Sequence, residues 1–190
     1  MKVRVLVLSV VFCLLSVVFV ACNDGEVNSK YSNLPARLHI EYVSWAPTLF
    51  TACESMGEFC TIRLSSDGQQ ILCKDATDHS PDPINITAIA AYGSFSLGLS
   101  GFIVGHLSIA EMGDNEPRVV CYDLACSNCY QDYKFTKPLV LQVGGYAKCN
   151  SCGRTYNLND IGNISDGPAG RPLYRYRVSY LNPALLIYNG

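Results

Sequence analysis

Two stretches of the sequence decide the fold of this chain, VVCYDLACSNC at residues 119–129 and AKCNSCGRTYNL at residues 147–158. Each stretch contains one Cys-x-x-Cys pair, and the cysteines of the two pairs are Cys126, Cys129, Cys149 and Cys152. Two residues between cysteines allow a tight turn whose backbone amides point at the sulfurs, and two such turns facing each other form a tetrahedral sulfur site. The spacing predicts one metal centre, with structural zinc as the first candidate and iron as the second.

Disulfide bonds are the alternative for these cysteines, because an exported chain meets an oxidising environment. A bond within one Cys-x-x-Cys pair is usually strained and redox-active, and two such bonds in one small domain would be unusual. A thioredoxin-like oxidoreductase is not favoured, since neither pair is expected to follow a strand and open a helix in a βαβ unit.

The first 21 residues have the plan of a secretory signal, with a short basic head followed by an apolar stretch. Residues 5–20 carry no charge, but this run is shorter than the roughly 20 residues that a membrane-spanning helix needs. Ala21-Cys22 at its end resembles a bacterial lipoprotein signal, in which the cysteine thiol takes a lipid. We expect Cys22 to anchor the chain in the cell envelope, at the outer rather than the inner membrane, with residues 22–34 as a flexible tether.

Charge and motif content exclude several classes of function. The formal net charge is −2, so a basic surface for nucleic acid is not expected. Gly144-Gly145 follows a predicted strand but lacks the helix that a phosphate loop needs, so nucleotide binding is not expected either. The three histidines, His39, His79 and His106, are scattered. They suggest neither a catalytic triad nor a catalytic zinc, and we expect no enzyme activity.

Apolar and polar residues alternate along much of the chain after residue 35, which predicts an all-β fold. No stretch keeps an apolar period of 3.6 residues for three helical turns. The predicted strands are 38–42, 60–64, 71–73, 84–89, 101–106, 118–123, 139–143, 154–158, 174–180 and 185–188. A hairpin is expected over residues 59–74, whereas residues 79–83 are expected to form a connecting loop, because their prolines lack a backbone donor.

Other cysteines of the folded domain, Cys53, Cys60, Cys73 and Cys121, can form disulfides or remain free. Cys60 and Cys73 lie on the two arms of the predicted hairpin, which makes them a candidate disulfide. Buried free thiols that pack as small hydrophobic groups are the alternative, and Cys121 on an apolar strand is expected to be one of these.

The residues around the cysteine pairs resemble the Rieske-type ferredoxin domain. The matching segments are 119–126, 147–158, 162–164, 167–169 and 171–173, within a resemblance that covers about residues 100–190. The pattern is also similar to Rieske-like lipoproteins of the Bacteroidetes type, in which both loops carry cysteine pairs. The resemblance implies an antiparallel β-sandwich over residues 35–190, with a small metal-binding β subdomain at about residues 120–173.

The ligand positions depart from the Rieske pattern. In that family each of two loops gives one Cys and one His to a two-iron two-sulfur cluster, whereas Asn128 and Cys152 stand at the histidine positions here. Four thiolates suit zinc. The alternative is an all-cysteine two-iron two-sulfur cluster of lower potential, which would make the chain an electron-transfer protein.

A group of arginines near the implied metal-binding tip is a candidate docking surface for an anionic partner in the envelope. The resemblance places Arg171 in a loop against the tip, and Arg175 and Arg177 follow on the next strand. A solvated strand face explains Arg175 and Arg177 equally well.

Overall fold

The structure, a computed structural model, describes residues 30–189 of the chain. The predictions for the signal at residues 1–21 and for lipidation of Cys22 therefore lie outside the described residues. Residues 30–34, the described end of the predicted tether, contain neither helix nor strand. None of the helices found between residues 30 and 189 has the length and apolar character needed to cross a membrane.

Thirteen β-strands dominate the described part of the chain, and the predicted all-β fold class is confirmed. They are β1 Ala36–Ile40, β2 Phe59–Leu64, β3 Gln70–Lys74, β4 Asp82–Asn85, β5 Ser96–Leu97, β6 Phe102–His106, β7 Val119–Asp123, β8 Val140–Gln142, β9 Tyr146–Lys148, β10 Thr155–Asn157, β11 Asn163–Asp166, β12 Arg175–Leu181 and β13 Ala184–Tyr188.

Every strand pairing is antiparallel, and the strands form two sheets. The larger sheet has nine strands in the order β4-β3-β2-β6-β7-β12-β13-β1-β5. The smaller has four, in the order β11-β10-β9-β8, and all four come between β7 and β12 in the chain. The small sheet is thus an insertion into the large one, and it lies within the predicted subdomain at residues 120–173.

The central strands β6 and β7 are buried on both faces, which explains why their sequences are nearly continuous apolar runs rather than alternating ones. Val104 and Cys121 face a core formed within the nine-stranded sheet, under the helix at residues 47–54. Ile103 and Tyr122 face the opposite way, into a second core shared with the four-stranded sheet. Strands β6 and β7 therefore hold the two sheets together through packing on both sides.

Three short helices complete the described elements, and sequence periodicity did not predict them. They are α1 Pro47–Glu54, α2 Ile86–Ala90 and α3 Ser127–Tyr133, and a single 3-10 turn precedes α1 at Val43–Trp45. Helix α1 begins with Pro47, which fits the first helical turn because no amide donor is needed there. Its buried side chains, Leu49, Ala52 and Cys53, cover the first core.

The prediction of a strand at residues 84–89 and of a loop at residues 79–83 is wrong in its boundaries. Strand β4 already begins at Asp82, and it includes Pro83 because β4 is an edge strand whose outer side needs no donor. The strand ends at Asn85, whose side chain accepts a hydrogen bond from the amide of Thr87. This N-cap starts helix α2 at Ile86, so capping outweighs the β-propensity of the isoleucines.

The hairpin of β2 and β3 forms as predicted, but its register does not support the candidate disulfide. Ile62 lies opposite Cys73, so Cys60 is diagonal to Cys73 rather than facing it. Diagonal neighbours across a sheet are farther apart than a disulfide tolerates without backbone movement. Both thiols are free and buried in the first core, and burial raises the pKa of the Cys73 thiol to about 12.

Candidate metal centre

The sulfurs of the two Cys-x-x-Cys pairs converge on one point. The Sγ atoms of Cys126, Cys129, Cys149 and Cys152 all lie within 4.8 Å of one another. Two contacts join one pair to the other, Cys126 to Cys152 and Cys129 to Cys149, each with an Sγ–Sγ distance of 3.7 Å. The four thiols therefore form a group that can hold a metal ion.

The first pair is positioned by the start of helix α3. Cys126 is the N-cap residue, and its carbonyl accepts the first helical hydrogen bond from Tyr130 at 3.0 Å. Cys129 lies one turn along, so both sulfurs are carried by a rigid helical turn. The first pair does follow strand β7 and open helix α3, which sequence periodicity did not predict. The surrounding sheet is antiparallel, however, so no βαβ unit is formed.

The second pair forms the tight turn that its spacing predicts. The amide of Gly153 donates to the carbonyl of Cys149 at 2.9 Å, which closes the turn between β9 and β10. The amides of Ser151 and Cys152 hydrogen-bond the Cys149 sulfur. Backbone dipoles thus point at this sulfur and favour its thiolate form.

No disulfide joins the cysteines of the centre. All four are free thiols, and the cross-pair separations of 3.7 Å are far longer than the roughly 2.05 Å of an S–S bond. Three of them are buried, and Cys152 is half-buried. The centre consequently lies beneath the surface with one sulfur near solvent.

Local hydrogen bonds make the four thiols unequal. Burial raises the pKa of Cys129, and hydrogen bonds with the neighbouring thiols raise it further. Burial also raises the pKa of Cys149, although the turn amides oppose it. For Cys152, burial is outweighed by hydrogen bonds from the backbone and side chain of Arg154 and from the other thiols, which lower the pKa to about 7. Among Cys129, Cys149 and Cys152, Cys152 is therefore the thiol most readily available as a thiolate.

A chain of hydrogen bonds runs through the buried side of the centre. The side-chain amide of Asn128 donates to the Tyr156 hydroxyl at 2.9 Å, and this hydroxyl lies 3.1 Å from the Cys126 sulfur. Burial raises the pKa of Tyr156, so its hydroxyl keeps its proton. Because the hydroxyl accepts from Asn128, its own hydrogen is free to point at the sulfur of Cys126.

The loop at residues 168–171 is fastened over the centre from both cysteine pairs. Asn128 donates to the carbonyl of Arg171 at 2.9 Å and accepts from its amide at 3.0 Å. This contact requires a glycine at position 170, because a Cβ atom there would lie 2.9 Å from Cγ of Asn128, which is too close. From the other side, Arg154 donates to the carbonyls of Pro168 and Ala169, each at 3.0 Å. The loop is thus a cover fixed to both ligand-bearing turns.

Sequence reasoning assigned no role to Tyr156, Arg154 or the Asn128 amide. The only available signal was position, because each lies within a cysteine pair or no more than four residues after one. The three histidines are not part of the centre. His79 is exposed and contacts Thr77, and His106 contacts the carbonyl of its neighbour Leu107.

The candidate docking surface of arginines is not formed as a group. Arg171 is exposed in the cover loop, but Arg175 is buried with only 4% of its surface accessible, and it pairs with Glu111. The guanidinium of Arg175 also lies over the rings of Tyr31 and Tyr122. The expectation of a solvated strand face is wrong for Arg175, because the loop carrying Glu111 covers it.

We expect Asn128→Ala to loosen the loop at residues 168–171 without disrupting the group of four thiols. The substitution removes three hydrogen bonds and leaves Arg171 backbone groups without their partner, which should lower the free energy of unfolding by about 2 kcal/mol. Hydrogen exchange should become faster at residues 168–172 while the metal content stays constant. Asn150→Ala, at an exposed position in the other pair, is the matched control. Equal exchange in both variants would contradict the fastening role of Asn128.

No family model matches this chain, and no curated protein matches it significantly.

Proposed function

We propose that this chain is a lipid-anchored protein of the bacterial envelope, whose Rieske-like β domain holds one structural zinc ion through four thiolates and has no catalytic role. The observation that carries the proposal is the convergence of Cys126, Cys129, Cys149 and Cys152 within 4.8 Å. The order of the sheets, with the small metal-bearing sheet inserted between β7 and β12, supports the Rieske-like assignment.

The separations of the sulfurs favour a single ion over a cluster. Four Zn–S bonds of about 2.3 Å in a tetrahedron place the sulfurs about 3.8 Å apart, close to the two cross-pair distances of 3.7 Å. In a two-iron two-sulfur cluster, two thiolates bind one iron and two bind the other. Thiolates on different irons are farther apart than thiolates that bind the same ion, because both irons and both sulfides lie between them. A largest separation of 4.8 Å among the four sulfurs fits the mononuclear case better.

The surroundings of the centre support a structural rather than a catalytic role. Four thiolates fill the coordination sphere of zinc and leave no position for water or substrate. Three of the ligands are buried, and the loop at residues 168–171 is hydrogen-bonded to Arg154 and Asn128 beside them. The ion would join the turn between β9 and β10 to helix α3, and so tie the small sheet to the end of β7.

Elemental analysis of the purified protein tests the metal assignment. We expect about one zinc per chain, no stoichiometric iron, and a colourless solution without visible absorption. Two irons per chain with visible absorption and an electron paramagnetic resonance signal on reduction would replace the structural role with electron transfer. Absence of any metal, together with oxidised thiols in the unreduced protein, would overturn both.

A further inference from the structure

An exposed group of aromatic and basic side chains follows directly from the metal-bearing helix. Every residue from 131 to 138 is exposed, and the aromatic side chains of Tyr133 and Phe135 are 67% and 56% accessible. Their rings stack with an interplanar angle of 26°. We call this group the aromatic-basic patch, and its residues are Tyr130, Tyr133, Lys134, Phe135 and Lys137.

Each lysine of the patch lies beside an aromatic ring. Nζ of Lys134 is 5.3 Å from the centre of the Tyr130 ring, and Nζ of Lys137 is 5.7 Å from the centre of the Phe135 ring. Lys134 adopts a left-handed conformation that ends helix α3. The patch therefore combines exposed aromatic rings with ammonium groups that lie over two of them, a combination suited to the boundary between lipid headgroups and acyl chains.

Charge is distributed unevenly over the chain, and the patch lies in its positive part. From residue 126 to residue 171 there are five Lys and Arg against three Asp, whereas the whole sequence has a net charge of −2. Only Asp132 opposes the two lysines between residues 130 and 137. An anionic surface would accordingly attract this end of the domain and repel most of the remainder.

The N-terminal segment enters the folded domain near the patch. The amide of Ser32 donates to the carbonyl of Arg175 at 2.7 Å, and the neighbouring Tyr174 ring lies 6.1 Å from that of Tyr130. Between Cys22 and Ser32 the chain can span at most roughly 35 Å. A lipid at Cys22 would therefore keep Ser32 within that distance of the bilayer.

We propose that the aromatic-basic patch rests on the anionic phospholipid surface of the membrane that carries the anchor, an inference that depends on the lipid anchorage proposed above. The rings of Tyr133 and Phe135 enter the headgroup layer, and Lys134 and Lys137 pair with lipid phosphates. Because helix α3 carries Cys126 and Cys129 at its start, this contact fixes the metal centre at a set distance and orientation above the bilayer.

Fluorescence of the full-length lipoprotein in vesicles tests this contact. Phe135→Trp places a reporter in the patch, and Trp45→Phe removes the single native tryptophan. In vesicles of brominated phosphatidylcholine mixed with phosphatidylglycerol, we expect quenching and a blue shift of the emission from the introduced tryptophan. Brominated phosphatidylcholine alone should give neither. Lys134→Gln and Lys137→Gln should each weaken the contact about fivefold, and added salt should weaken it as well.

Leu181→Trp is the matched control, because Leu181 is 79% exposed at the end of strand β12, outside the patch. Equal quenching at positions 135 and 181, or equal quenching with and without phosphatidylglycerol, would overturn the inference. If the emission changes with the density of protein on the vesicles and not with the charge of the lipid, the patch binds a second copy of the chain. That result would also overturn the inference. Vesicle flotation tests the lipid anchor separately. If the protein floats with the vesicles but its tryptophan is not quenched, only the contact of the patch is refuted. If the protein does not float, the anchorage is refuted and this inference with it.

Discussion

Replacement of Cys126 by Ser is expected to release the metal and to unfold the small sheet. A serine hydroxyl stays protonated and is a poor ligand for a soft ion, so three thiolates would remain. A structural metal contributes its binding free energy to folding, and for zinc this contribution is comparable with the total stability of a small domain. We expect a large fall in melting temperature and loss of hydrogen-exchange protection at residues 140–166, with the β12–β13 hairpin affected less.

Cys121→Ser is the matched control for this experiment, because it makes the same chemical change in a fully buried cysteine that faces the other core. It should cost about 1–3 kcal/mol through burial of a hydroxyl and leave the metal content unchanged. If Cys126→Ser kept one metal per chain and melted like Cys121→Ser, the four-sulfur centre would have no structural role.

The convergence of the cysteines was predictable because it depends on a local rule. Within each Cys-x-x-Cys pair, chain geometry alone brings two sulfurs together, and a tetrahedral ion needs two such pairs. The β2–β3 hairpin was predictable for a similar reason, since its turn and alternation lie within residues 59–74.

The parts that were missed depend on distant residues or on very short elements. The hydrogen bonds of Asn128 to Arg171 join residues 43 apart in the chain, and no spacing pattern in the sequence predicts such a pair. Strands β5, β9 and β11 have only two to four residues, too few for an alternation to be recognised. Helix α3 has seven residues, fewer than the three turns that periodicity requires.

The burial of Arg175 was missed because its partner comes from a loop rather than from the sheet. Glu111 lies between β6 and β7, and its carboxylate contacts both Arg175 and Arg118, the latter at 2.8 Å. Side chains of Glu111 and Arg175 are only 5% and 3% accessible. From the sequence alone, a charged residue on a strand next to alternating tyrosines is more easily read as solvent-facing.

We expect Glu111→Ala to be among the most destabilising single substitutions outside the metal centre. Removing one partner of a buried ion pair leaves the other charge desolvated without compensation, which typically costs about 3–5 kcal/mol. Here the uncompensated charge is the guanidinium of Arg175, which lies over the Tyr122 ring, and the Tyr122 hydroxyl donates to the carbonyl of Leu158 beyond strand β10. Thermal and denaturant unfolding would measure the loss.

Glu116→Ala separates this effect from a general loss of negative charge, because Glu116 is exposed on the same loop. It should change the free energy of unfolding by less than about 0.5 kcal/mol. Glu111→Gln should fall between the two, since it keeps the shape and one acceptor but not the charge. Should Glu111→Ala prove as mild as Glu116→Ala, Arg175 would have to reach solvent, and the loop between β6 and β7 could not be the cover that buries it. If Glu111→Ala and Glu111→Gln lower the free energy of unfolding and Glu116→Ala does not, the stabilisation comes from the buried pair of Glu111 and Arg175. This conclusion does not depend on whether the four thiolates bind an ion.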